Sequence, residues 1–330
     1  MKVMASAGIA GILVAGMAVA QQQPRLPAEC RQEILASCRA SMGGGMRECV
    51  RGALPTLSDS CRKAISDRGA SAAPLPPGMV EIAYGPDPLQ RLDLTEAAGN
   101  KRPPLVVFVH GGGWSIGDKR QAIGAKAAHF IAAGYSFASV NYRLVPQATV
   151  EQQSADLASA ISKLRFHAVG SNYDGDRIVL MGHSAGAHLA ALVATDPSFL
   201  AAARVPLSSI KGVVLLDGAG YDVAAQMARP GNPVAAMYDA AFGKDPARQR
   251  ALSPTVHAAA PNAANWLILP IQRRDDSIAQ SKALAAGLTK AGNRASVIPV
   301  PGESHGSLNK GLGEDGDFAT ASIDAFLAAL

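Results

Sequence analysis

The chain has 330 residues, 48% of them hydrophobic and 17% charged, with a formal net charge of +5. That composition excludes intrinsic disorder, and the length allows one large domain or two unequal ones. The basic residues are scattered and aromatics make up only 5%, so the clustered stacking and phosphate-binding groups of a nucleic-acid surface are not expected.

Lys2 is the only charge before Arg25, and an uncharged stretch from Met4 runs to Ala18-Val19-Ala20. A basic start, an apolar middle and an A-x-A end predict a signal peptide over residues 1–20, removed after Ala20. The stretch is too short and too glycine-rich for a stable membrane anchor, so the protein is expected to be exported, to the periplasm or beyond. Export implies an oxidising compartment and changes how the cysteines are read.

All four cysteines, Cys30, Cys38, Cys49 and Cys61, fall in one short module. An even count in an exported chain argues for disulfides. A metal site is not expected, because there is no C-x₂-C pair and no histidine before His110. Arg31–Met42 and Met46–Leu54 read as helices separated by Gly43-Gly44-Gly45. In such a hairpin Cys38 and Cys49 flank the turn and can pair, leaving Cys30 and Cys61 to close the open end. The segment from Cys30 to Cys61 resembles the cysteine-rich repeat of Golgi apparatus protein 1 in spacing and in its Leu-Ser-x-x-Cys ending. The expected organisation is this hairpin over residues 21–66, a small, Pro-rich linker over 67–79, and a catalytic domain over 80–330.

Beyond residue 80 strands and helices alternate. Leu105–His110, Tyr135–Tyr142, Ile178–Met181, Val213–Asp217, Trp266–Ile271 and Ala295–Val300 read as buried strands. Ala122–Ala133, Val150–Val169, Ser277–Ala291 and Asp317–Leu330 read as helices. The pattern predicts an α/β fold with a mostly parallel, doubly wound sheet. Residues 218–264 lack strand character and are expected to form a partly helical insertion.

Gly182-His183-Ser184-Ala185-Gly186 lies between a strand and a helix. In that context G-x-S-x-G is a nucleophile elbow, which holds the Ser184 hydroxyl above the sheet at a helix N-terminus. His110-Gly111-Gly112-Gly113-Trp114 ends an earlier strand. Its glycines let backbone amides turn inward, so Gly112 and Gly113, with Ala185, are the expected oxyanion donors. His110 itself is expected to fix the loop. The order Ser, acid, His leaves His305, after the last strand, as the base. Asp275 and Asp276 both qualify as the acid by position, whereas Asp93, Asp156 and Asp217 precede the strand before that loop and are expected to be structural.

The segments VVFVHGGGWSIGDKR, VNYRL, DGDRIVLMGHSAGAHLAAL and PGESHGS together resemble the α/β-hydrolase esterases with an HGGGW loop. The resemblance is to the hormone-sensitive-lipase-like and feruloyl-esterase-like carboxylesterases, which border on the kynurenine formamidases. It implies an α/β-hydrolase fold over residues 80–330 and, through Ala279-Gln280-Ser281, points to Asp276 as the acid. The expected protein is a serine carboxylesterase that uses Ser184, His305 and Asp276. Its expected partner is a small-molecule ester, carbohydrate and phenolic esters included, with no metal or organic cofactor. An arylformamidase with the same residues, and a binding protein whose hairpin docks a protein partner, are the alternatives.

Overall fold

The computed structural model describes residues 26–38, 49–50, 53–70, 74–99, 101–229, 234–259 and 261–330. The expected signal peptide and the Gly43–Gly45 turn lie outside the described residues. The N-terminal module contains helix α1 (Ala28–Cys38), a 3₁₀ turn over Leu54–Thr56 and helix α2 (Asp59–Ala70). Both expected disulfides are formed, Cys30–Cys61 and Cys38–Cys49. Helix α2 runs past residue 66, the expected end of the module, into residues expected to be linker. Ser58 starts it: its hydroxyl accepts from Cys61 N–H, while Glu33 on α1 accepts from Ser58 N–H at 2.7 Å and from its hydroxyl at 2.6 Å.

The sheet has eight strands in the order β1-β2-β4-β3-β5-β6-β7-β8. They are β1 (Val80–Ala83), β2 (Arg91–Thr95), β3 (Pro104–Val109), β4 (Ser136–Val140), β5 (Asp174–His183), β6 (Ile210–Leu216), β7 (Asn265–Leu269) and β8 (Arg294–Val297). The β1–β2 and β2–β4 pairs are antiparallel and the remaining pairs are parallel. Strand β3 shows why the centre is doubly buried. Leu105, Val107 and Val109 face one core, and Val106 and Phe108 face the other.

Helices α3 (Lys126–Ala132), α4 (Val150–His167), α5 (Ala185–Thr195) and α6 (Pro197–Ala202) alternate with the central strands. Thr149 opens α4 through a capping box with Gln152. The described residues of the stretch 218–264 hold four short helices: α7 (Val223–Met227), α8 (Ala235–Phe242), α9 (Pro246–Ala251) and α10 (Pro254–His257). Helices α11 (Asp275–Lys290), α12 (His305–Gly311) and α13 (Phe318–Ala328) complete the chain.

The two strands that the sequence reading lacks, β1 and β2, form the antiparallel edge. Arg91, Asp93 and Thr95 alternate with Leu92 and Leu94, which breaks the continuous apolar run that marks the central strands. Asp93 is nevertheless fully buried, because Lys119 and Arg120 reach it at 2.5 and 2.7 Å.

Candidate active site

The site forms where strands β3, β5 and β6 end. Ser184 leaves β5 with φ 56° and ψ −120° and starts α5. This strained turn presents the hydroxyl at a helix N-terminus. It also requires Gly186, where an added Cβ would lie 2.2 Å from the Val109 carbonyl oxygen.

His305 is the first residue of α12, which Ser304 caps by accepting from Ser307 N–H. Its Nε2 lies 2.9 Å from Ser184 Oγ, and its Nδ1 lies 2.6 Å from Asp217 Oδ2. The neighbouring His183 ring, held neutral by burial well below its usual pKa, lies with Nε2 2.8 Å from the His305 carbonyl oxygen. That contact fixes the backbone from which the imidazole projects.

The carboxylate that meets His305 is Asp217 and not the expected Asp276. Asp276 opens α11, but its Oδ2 takes Arg229 at 2.7 Å, Gln226 at 3.1 Å and Arg274 at 3.2 Å. Arg274 stands between it and the imidazole, with Nη1 3.1 Å from His305 Nδ1 and 2.7 Å from Asp217 Oδ2. Asp275, the other positional candidate, is the first residue of the same helix and is exposed. Asp217 follows β6 directly, beside the elbow strand, and its carboxylate is fully buried. Burial alone would raise its pKa, but the His305 hydrogen bond and the Arg274 charge hold it well below the ordinary range. The order Ser184, Asp217, His305 satisfies the same chain-order rule. The overlooked signal was an Asp at the end of a buried strand, before Gly218-Ala219-Gly220.

Gly112 and Gly113 have φ of 122° and 60°, values open to glycine. Gly113 and Ala185 line the same cavity as Ser184 and His305, a space of about 310 Å³. Its apolar wall includes Trp114, Val234, Met237 and Tyr238, and its polar wall includes Gln226, Arg229, Arg274 and Asp276. Trp114 is clamped edge-on by His188, Tyr238 and Phe242, at ring distances of 5.5, 5.1 and 4.8 Å. His110 stacks on Tyr142 at 4.4 Å, its Nδ1 is 2.7 Å from the Gly111 carbonyl oxygen, and its own carbonyl accepts from the Tyr142 hydroxyl. It thus fixes the loop. The arrangement can deprotonate a hydroxyl beside a set of backbone N–H groups. Among the described residues no cluster of His, Cys, Asp and Glu could hold a metal ion.

The BD-FAE family model matches residues 92–284. The chain is 39% identical over 113 residues to the isoprenylcysteine alpha-carbonyl methylesterase ICME of Arabidopsis thaliana, covering 33% of this chain and 26% of that one. It is 34% identical over 125 residues to the esterase LipQ of Mycobacterium tuberculosis, covering 36% and 30%. The matches therefore span less than a third of the length of these curated relatives. Among solved structures, the propionate-bound esterase Est2 of Thermogutta terrifontis superposes with a TM-score of 0.63 at 25% identity, covering 78% of this chain and 96% of that one.

Proposed function

From the premise that this chain belongs to the BD-FAE family, we propose that it is a serine carboxylesterase acting through Ser184, His305 and Asp217. The observation that carries this reading is the unbroken hydrogen-bonded line from Ser184 Oγ through His305 to Asp217 Oδ2. His305 Nε2 takes the Ser184 proton as Oγ attacks the ester carbonyl carbon. Backbone N–H groups of Gly112, Gly113 and Ala185 receive the developing oxyanion, aided by the α5 N-terminus. Asp217 holds the imidazole in the tautomer with its proton on Nδ1 and stabilises the imidazolium. The imidazolium then protonates the leaving alkoxide, and a water activated by the same histidine releases the carboxylic acid.

The ester relatives and the cavity beside Ser184 support small-molecule ester substrates. The two disulfides support an exported protein folded in an oxidising compartment. The test is labelling by a fluorophosphonate, with hydrolysis of acetyl, longer acyl, feruloyl and formyl-aryl substrates measured alongside. Labelling and ester turnover should both vanish in Ser184→Ala. Equal labelling of the variant, or turnover confined to the formyl-aryl amide, would reject the reading.

A further inference from the structure

We propose that the disulfide-bonded module buttresses the oxyanion loop, with Ile116 and Met237 as positioning residues that carry its packing to Gly112 and Gly113. The proposal rests on the esterase reading, because it assigns those two glycines a role in catalysis.

Two separate lines of contact connect the module to the loop. In the first, Ile116 packs against a small apolar cluster formed by Cys30, Leu54, Leu57 and Cys61. The same residue is locked to Gly112. Its N–H donates to the Gly112 carbonyl at 3.1 Å, and its own carbonyl oxygen would lie only 1.9 Å from a Cβ added there. No slack separates the two residues, so the place of Ile116 sets the place of Gly112.

The second line runs through the insertion. The 3₁₀ turn Leu54–Thr56 packs on α8. That helix presents Ala240 to a cleft shared with Leu54 and Pro55, and it presents Met237 to the active-site cavity. Met237 Sδ sits so close to Gly113 that a Cβ there would approach it to 2.2 Å. The module thus presses on the loop from its outer side, and through α8 it covers the loop from the cavity side.

An oxyanion donor acts only if it is fixed before charge develops, and losing one outright costs about 10²–10³ in kcat. Loosening a donor without removing it should cost less, on the order of tenfold, with little effect on ground-state binding. A module that served stability alone would lower Tm and leave kcat intact in the folded enzyme. The closed Cys30–Cys61 bridge matters here because it joins α1 to α2 within the apolar cluster that holds Leu54 and Leu57.

The experiment uses the full chain and the variants Ile116→Ala, Ile116→Val and Leu54→Ala, assayed well below their measured Tm. For each, kcat and KM on an activated ester are compared with the affinity of a trifluoromethyl ketone, which forms an oxyanion on Ser184. We expect Ile116→Ala and Leu54→Ala to lose about tenfold in kcat and in ketone affinity, with KM within about twofold, and Ile116→Val to recover most of the loss. Should either alanine variant not fold, gentle reduction of the native protein gives the same readout: activity should fall as Cys30–Cys61 opens and before the far-ultraviolet circular dichroism changes. Unchanged kcat and ketone affinity in folded variants, or activity that survives until unfolding, would overturn the proposal. Wild-type protein that fails to label with fluorophosphonate would instead sink the esterase reading itself.

Discussion

Asp217 holds His305 with the same oxygen that it gives to Arg274. Oδ2 accepts from His305 Nδ1 at 2.6 Å and from Arg274 Nη1 at 2.7 Å, while Oδ1 accepts from Ile271 N–H at 3.2 Å. With both oxygens engaged, the carboxylate cannot rotate away from the imidazole. Arg274 also reaches Asp276, so one guanidinium keeps the two acidic groups apart and leaves only Asp217 facing the histidine.

That geometry separates the acidic candidates in the first prediction. Asparagine at the acid position preserves shape but loses the correct histidine tautomer, which in related triads costs on the order of 10⁴ in kcat. Asp217→Asn should show a loss of that size. Asp276→Asn, whose carboxylate binds Arg229, Gln226 and Arg274, should lose no more than about tenfold. Measuring kcat for both on one activated ester decides the matter. A dead Asp276→Asn beside an active Asp217→Asn would reject the assignment.

The second prediction concerns strain at the elbow. Ser184 has φ 56° and ψ −120°, a conformation that costs a non-glycine residue about 1–3 kcal/mol. Ser184→Ala keeps this strain and Ser184→Gly releases it, against a smaller entropic cost for glycine. Both should be inactive, yet Ser184→Gly should be about 1 kcal/mol more stable than Ser184→Ala. Calorimetry of the pair provides the test, and an equal or lower Tm for the glycine variant would show that the elbow stores no strain.

The central strands and the elbow were legible because their signals are local. A doubly buried strand is a continuous apolar run, and G-x-S-x-G carries its own turn chemistry. Strands β1 and β2 were not, since an antiparallel edge with a buried Asp93 shows its meaning only once Lys119 and Arg120 fold onto it. The contact of Asp217 with His305 was not legible for a related reason. Asp217 and Asp276 both lie between Ser184 and His305 in the chain, and only the packing of Arg274 between Asp276 and the imidazole separates them. The contact of Ile116 with the cysteine-rich module joins residues far apart in the chain, and no sequence period announces it.

The third prediction follows from His188, which lies beneath the site on α5. It is completely buried, with Nε2 2.9 Å from the Leu252 carbonyl oxygen and its ring edge-on to Trp114 and Phe242. Burial pulls its pKa down to about 4. The unfolded chain protonates this histidine near its ordinary value of about 6.5, while the folded protein keeps it neutral until pH approaches 4. Between those limits the unfolded state binds more protons, so folding stability rises with pH and falls on acidification. A shift of this size corresponds to on the order of 3 kcal/mol across the window. His183 and His110, also buried and depressed, add to the same slope. His188→Gln should therefore flatten the loss of stability between pH 7 and pH 4.5 without abolishing it, whatever its effect at neutral pH. Urea unfolding of wild type and variant at pH 7, 5.5 and 4.5 measures this. Parallel profiles for the two proteins would mean that His188 takes up its proton as readily in the folded state as in the unfolded one.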